Sequence, residues 1–239
     1  MNTEFQRIVD FRRSNRGFDP LVEVPDEVIH TSLARAILSP NSSNMQLWEF
    51  YWLSTPEAIQ AMTPICLNQR AASTAKQMVV FVTRRDKWKQ RANWNLNLIK
   101  SAIKGEPNKG QKKGLNYYGK LMTIIYTNDP FGILTFLRKS MSFIMGLNKP
   151  FFRLGGLASQ RITAHKSCAL AAQTFMLSIS AEGFHTCPME GFDELRLKRY
   201  LKLPKGAEIN MVISVGAGTE AGVWGERNRL AVDEVVFKK

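Results

Sequence analysis

A mixed fold, α+β or α/β, is predicted by three observations on this 239-residue chain. Its N-terminal segments carry apolar residues at helical spacing. A few short runs are rich in aromatic and β-branched residues, the pattern of strands. One long segment, residues 162–182, is apolar or small nearly all the way around, the pattern of a buried helix. No internal repeat or long low-complexity tract interrupts the chain. With 44% apolar residues it can bury one sizeable core, so one domain spanning 1–239 is expected.

The elements follow in order. Residues 3–13 place Phe5, Ile8, Val9 and Arg12 at helical spacing, and residues 26–38 place Ile29, Leu33, Ala36 and Ile37 on one face after Pro25. Glu49–Leu53 and Met78–Thr83 read as strands. Between them, Thr55 is placed to cap a helix whose first turn takes Pro56, where the missing N–H costs nothing. Ile209–Val215 is a further strand, bounded by Pro204, Gly206 and Gly216. The helix over 162–182 stops at Gly183 and is a candidate for a subunit interface. The apolar stretch Ile133–Phe152 reads either as core or as a mobile helical flap over a pocket.

Three cysteines, Cys66, Cys168 and Cys187, are widely spaced and odd in number, which argues against a disulfide framework or a structural zinc site. The N-terminus is broken by charge and lacks a secretory apolar core. Residues 121–152 are divided by Asp129, Arg138, Lys139 and Lys149 into pieces far shorter than the roughly 20 residues of a membrane-spanning helix. No transmembrane segment and a cytoplasmic location are therefore expected. The net charge is +13, and +9 of it lies between Arg84 and Lys120. That excess reads as a solvated helix face with a mobile lysine-rich loop around KGEPNKGQKKG, or as a nucleic-acid groove.

Four segments carry candidate chemistry. Arg12-Arg13-Ser14-Asn15-Arg16 ends the first helix, and guanidinium groups grip phosphate through paired, charge-assisted hydrogen bonds. Alone, it also fits a solvated basic helix end. Ser39–Phe50, SPNSSNMQLWEF, is a polar loop running into a strand; its Asn41-Ser42-Ser43 sequon is discounted for want of an export signal. Pro188–Asp193, PMEGFD, offers Gly191 for close approach of the backbone to a flat ligand. Arg227 and Arg229 form a late basic pair, which also fits a surface loop.

In this order and spacing, the four segments resemble the FMN-dependent nitroreductase family, from the N-terminal helix to residues 225–230. The resemblance implies an α+β, three-layer α-β-α fold with a central, mostly antiparallel sheet, a domain-interleaved homodimer, and a variable lid at about 85–160. It implies FMN phosphate and ribityl contacts for Arg12, Arg13, Ser14 and Arg16, and phosphate contacts for Arg227 and Arg229. Pro40, Asn41, Ser42 and Asn44 would reach the flavin held by the other subunit. Asn68 would bond the flavin ring, while Pro188, Met189, Glu190 and Gly191 would lie against its reactive edge. Three positions depart from the pattern: Asn41 stands for a usual serine, Leu47 for a proline, and Ala71 for a lysine that often contacts the flavin, which leaves Arg70 as a candidate replacement.

The implied activity is ping-pong hydride transfer from NADH or NADPH to a nitroaromatic or quinone-like acceptor, with the flavin carrying the chemistry and no catalytic side-chain cluster required. His30, His165 and His185 are accordingly read as structural, and Cys187 as unreactive for want of a base. Rival readings are a nucleic-acid-binding basic protein and a flavin-binding protein without turnover.

Overall fold

The computed structural model describes residues 3–127, 129, 131–153 and 155–239. In chain order the elements are α1 (Thr3–Phe11), α2 (Asp26–Ala36), β1 (Trp48–Leu53), α3 (Pro56–Ile65), α4 (Arg70–Ser73), β2 (Gln77–Thr83), α5 (Trp88–Ser101), α6 (Lys109–Asn116), α7 (Met122–Tyr126), α8 (Ile133–Asn148), α9 (Leu157–Ala181), β3 (His185–Met189), α10 (Glu194–Tyr200), β4 (Glu208–Gly216) and α11 (Val232–Val235). The four strands form one antiparallel sheet in the order β1-β2-β4-β3. The expected α+β class and central antiparallel sheet are borne out.

β2 explains why the sheet lies between two layers. All seven of its residues are buried, and alternate side chains point to opposite faces. Met78, Val80 and Val82 pack with Met62, Cys66 and Leu197 from α3, the turn after it and α10. Val79 and Phe81 pack with Ile29 of α2 and with Phe175 and Ile179 of α9. Full burial of each such large side chain stabilises the fold by roughly 1.5–3 kcal/mol. A third cluster, Met45, Leu47, Ala92, Met122, Tyr126 and Ala164, ties the Ser/Asn loop to α5, α7 and α9.

Several boundaries move for identifiable reasons. The first helix ends at Phe11 rather than 13 because the Arg227 guanidinium donates to the carbonyls of Val9, Asp10 and Arg12, capping that end with a side chain 215 or more residues away. The Thr55 cap forms as expected, its hydroxyl accepting from Ala58 N–H at 3.2 Å. The lysine-rich segment is only partly a loop: Asn108 and Gln111 form a reciprocal capping box that starts α6. The Asn-x-x-Gln spacing signals this in the sequence. The long helix begins at Leu157, five residues before the predicted start. Pro188-Met189, the first residues of the PMEGFD segment, complete the edge strand β3, paired with β4 from His185↔Gly216 to Met189↔Val212. The core reading of 133–152 does not hold. Ile133, Phe136, Leu137, Phe143, Ile144, Leu147 and Phe152 are all exposed.

Candidate functional site

Leaving α1, residues 12–18 run beside the β3 edge and the segment after β4. Ser14 bridges Thr186, Phe18 bridges Gly218, Asn15 N–H donates to Thr186 O at 3.1 Å, and Arg16 N–H donates to Gly222 O at 2.7 Å. Asn15 is buried and organises this junction. Its Nδ2 donates to Thr219 O at 2.8 Å, while its Oδ1 accepts from Gly17 N–H at 3.0 Å. Sequence reasoning passed over Asn15, since an asparagine among arginines gives no sign that it alone turns inward. The approach leaves no room for a side chain at Gly222, whose added Cβ would lie 1.8 Å from Asn15 Oδ1 and 2.7 Å from Gly17 N. Gly222→Ala is therefore expected to displace the Arg12–Arg16 segment, lowering the thermal midpoint and weakening FMN uptake together, as thermal melts and a flavin titration would measure.

Four guanidinium groups converge here. Burial first, then the like charges of Arg227, Arg229 and Arg13, push the Arg12 guanidinium below its ordinary range. Arg13 Nη2 donates to Gly225 O at 2.9 Å, and the Arg16 guanidinium lies over the Trp224 ring, 4.4 Å from its centroid. Among the described residues, none of these arginines pairs with a carboxylate; the ion pairs lie elsewhere. A half-buried, unbalanced cation cluster is the donor set that a phosphate dianion satisfies. The chain thus fits the phosphate end of FMN. Arg227 is partly committed to the α1 carbonyls, so it builds the site as well as charging it.

The 66–70 and 188–191 segments meet beside this cluster. Gln69 Nε2 donates to Gly191 O at 2.6 Å and to Cys66 O at 3.0 Å, and Asp193 N–H donates to Ile65 O at 2.8 Å. Gly191 N–H finds no acceptor among the described residues. Met189 turns its side chain into the core and Pro188 is half-buried, so Glu190 and Gly191 form the exposed part of that turn. Asn68 is exposed and, with Leu67, holds a left-handed backbone, φ 54° and 57°. Ala71 is buried, whereas the Arg70 guanidinium lies against Gly17 and reaches Ala221 O at 3.5 Å. Arg70 is therefore the cation that stands near this site, from the neighbouring position.

The Ser/Asn loop is placed elsewhere. It feeds β1, at the opposite edge of the sheet from β3, about 14 Å away across three strand spacings. Ser43, Asn44 and Gln46 hold left-handed backbones at φ 56°, 47° and 47°. Their neighbours enforce this: Asn41 Oδ1 accepts from Gln46 N–H at 2.8 Å, Asn44 exchanges hydrogen bonds with Asn95, Tyr118 OH donates to Ser43 O at 3.0 Å, and Ser42 N–H donates to Ser167 Oγ at 3.2 Å. Pro40 is exposed. Five of the six non-glycine residues with positive φ among the described residues fall in this loop or at 67–68, the sixth being Lys202. Strain of that kind costs on the order of 1 kcal/mol or more per residue and concentrates where a ligand is held. A cleft of about 360 Å³ opens beside the loop, lined by Ser42, Ser43, Tyr117, Tyr126, Phe152 and Gln160 among others.

His185 is structural in this geometry. Its ring packs on Phe11 at 4.5 Å, and Nδ1 accepts from Gly218 N–H at 3.1 Å, which requires the neutral ring with the proton on Nε2. Burial lowers its pKa below 6.5. The unfolded chain then binds more protons than the folded one just below pH 6.5, so stability falls as pH drops from 6.5 toward the folded value. His185→Gln is expected to flatten that part of a melting-temperature profile. Cys187, whose thiol burial pushes up while Arg16 pulls it back, remains protonated and unreactive.

Comparisons with known proteins agree with this fold. The sequence model of the Nitroreductase family matches residues 9–217. Protein DrgA of Synechocystis sp. is 26% identical over 210 residues, covering 87% of this chain and 81% of its own. The structure of ydfN from Bacillus subtilis, assigned as a nitroreductase, superposes with a TM-score of 0.75 at 20% identity, covering all of both chains. A protein of Exiguobacterium sibiricum 255-15, likewise assigned and solved in complex with FMN, superposes with a TM-score of 0.67 at 21% identity over 98% of this chain and 97% of its own. With most of its length matched by the family model, the chain belongs to the nitroreductase family of FMN-using oxidoreductases.

Proposed function

We propose that this chain works as a homodimeric, FMN-dependent oxidoreductase that reduces nitroaromatic or quinone-like acceptors with NADH or NADPH in a ping-pong cycle. The observation that carries the reading is the uncompensated cluster of Arg12, Arg13, Arg227 and Arg229, whose segment bridges β3, the strand that leads to an exposed Glu190-Gly191 turn. Relatives named as NAD(P)H nitroreductases, such as the Bacillus subtilis protein MhqN, 24% identical over 217 residues, support the reductant.

When bound, FMN supplies the hydride transfer between nicotinamide and acceptor. The chain supplies position and charge. Arg12, Arg13, Ser14 and Arg16, with Arg227 and Arg229, hold the phosphate and ribityl end. Gln69 holds the Gly191 carbonyl, the Gly191 N–H is free among the described residues to donate to the ligand, and Asn68 adds a side-chain hydrogen bond to the ring. Arg70 takes the place that Ala71 leaves empty of charge, favouring negative charge on the ring.

Pro40, Asn41, Ser42 and Asn44 complete the site of the other subunit. Two features support this: the loop lies at the far edge of the sheet from the arginines, and its strained backbone is locked before any ligand arrives. Residues 85–160 serve as the lid, and the cleft lined by Tyr117, Tyr126 and Phe152 receives the acceptor.

The test is purification followed by flavin absorbance and by NADH and NADPH oxidation with a nitroaromatic and with a quinone. A colourless protein that takes up no added FMN would end the proposal. Bound FMN that neither nucleotide reduces would end the enzymatic part. Mixing an Arg12→Gln chain with an Asn44→Ala chain is expected to restore part of the activity, because one of the two sites in a mixed dimer then has both halves intact. No recovery after verified subunit exchange would put the loop and the arginines in one subunit.

A further inference from the structure

Helix α8 is turned inside out for a protein in water. Its buried residues are Arg138 and Ser142, one turn apart on its polar side, and Arg138 Nη2 donates to Thr127 O at 3.2 Å, clasping α8 to the end of α7. The opposite side carries Ile133, Phe136, Ile144 and Leu147 at helical spacing, all outward. Phe136 is 70% exposed, Ile144 63% and Leu147 64%, with Phe131 at 86% beyond one end. An amphipathic helix seated in a core does the reverse, so the apolar side is built to meet something.

Charge decides what. From residue 107 to residue 181 there are ten Lys or Arg and one acid, Asp129. Lys120, Lys139, Lys149 and Arg153 are exposed around α8. Lys120 lies one turn before Ile124, which faces Leu134, Leu137 and Met141 across an apolar groove of about 340 Å³ between α7 and α8. A second copy docking α8 on α8 would set this basic rim against itself. A nucleic acid satisfies the lysines but leaves the phenylalanines and isoleucines in water.

We propose that α8 and its basic rim dock on an anionic lipid bilayer, the helix lying flat with its apolar side among the acyl chains and the lysines among acidic headgroups. Sixteen residues span about 24 Å, enough to lie in the interface, and no helix among the described residues is long and apolar enough to cross a membrane. Docking there brings the cleft beside α7 to a surface where apolar acceptors accumulate. The inference does not depend on the flavin reading, since it rests on α8 and the basic rim around it.

The experiment is co-sedimentation of the full, flavin-treated chain with vesicles of phosphatidylglycerol and phosphatidylcholine, against vesicles of phosphatidylcholine only. Binding is expected to the anionic vesicles alone and to weaken at high salt. The triple variant Phe136→Ser, Ile144→Ser, Leu147→Ser is expected to raise the half-saturating lipid concentration at least tenfold, as is the triple variant Lys120→Glu, Lys139→Glu, Lys149→Glu. Both sets lie on the surface, and an unchanged thermal midpoint shows that the fold is intact. Failure of the parent protein to sediment, equal binding to neutral vesicles, or undiminished binding of the serine variant would each overturn the proposal. So would dissociation of an oligomer by the serine substitutions without any vesicle binding, which assigns the face to a second copy, or displacement from vesicles by duplex DNA at equal phosphate.

Discussion

Arg12→Gln is expected to weaken FMN binding by about tenfold to a hundredfold, while leaving the thermal midpoint of the flavin-free protein unchanged or higher. The two signs have one cause. Arg12 is half-buried and faces Arg227, Arg229 and Arg13 without a compensating carboxylate among the described residues, so its charge is unfavourable until an anion arrives. Removing the charge relieves that repulsion in the empty protein. It also removes charge-assisted hydrogen bonds to the phosphate, worth roughly 1.5–3 kcal/mol, or about one to two powers of ten in affinity. Flavin fluorescence titration and calorimetry of both forms measure the two effects. Unchanged flavin affinity would mean that the phosphate lies elsewhere. Inorganic phosphate should stabilise the parent protein and not the variant, because any ligand of the native state raises the apparent stability in proportion to its affinity.

Arg84→Leu is expected to cost about 3 kcal/mol, a drop in melting temperature of roughly 6–12 °C for a chain of this size. Arg84 stands just past β2 with its side chain 9% exposed, bonded to Glu49 on β1 and to Asp86, the latter at 2.8 Å. Its hydrogen bond to Asp86 is the chief cause that raises its pKa further. Desolvation raises the Glu49 pKa, but Lys87 and Arg84 outweigh it and hold the carboxyl below its ordinary range. A leucine leaves two partly buried carboxylates sharing only Lys87, which is the unbalanced arrangement that makes breaking such a pair costly. Arg84 N–H also donates to Leu47 O, at the end of the Ser/Asn loop. That bond belongs to the backbone and survives the substitution, so amide exchange at residues 42–47 is expected to change little while the melting temperature falls. A melting-temperature loss below about 3 °C would show that the network is spanned by water rather than closed.

The strands β2 and β4 were legible because their buried faces demand runs of Val, Ile, Phe and Met, and β1 because it is a run of aromatic residues, Trp48, Phe50, Tyr51 and Trp52. β3 was not. His185-Thr186-Cys187-Pro188-Met189 contains a proline and only two strongly apolar residues, and it becomes a strand because it lies at the sheet edge, beside β4 and under residues 14–15. The polarity of α8 was equally hidden, since periodicity reveals that a helix has two sides and says nothing of which one faces the protein.

The candidate site divides along the same line. Residue types and spacing pointed to a mixed fold and, through the resemblance of four segments to the nitroreductase family, to its antiparallel sheet and to the segments proposed to hold an anion, because guanidinium chemistry and backbone punctuation are local properties. Only the tertiary structure decided that Arg227 closes α1, that Asn15 rather than Ser14 anchors the basic segment inward, and that the Ser/Asn loop stands at the far edge of the sheet from the arginines. Those facts depend on contacts between residues as far as 218 positions apart. Such contacts are set by which surfaces the core brings together, a quantity that no window of sequence contains.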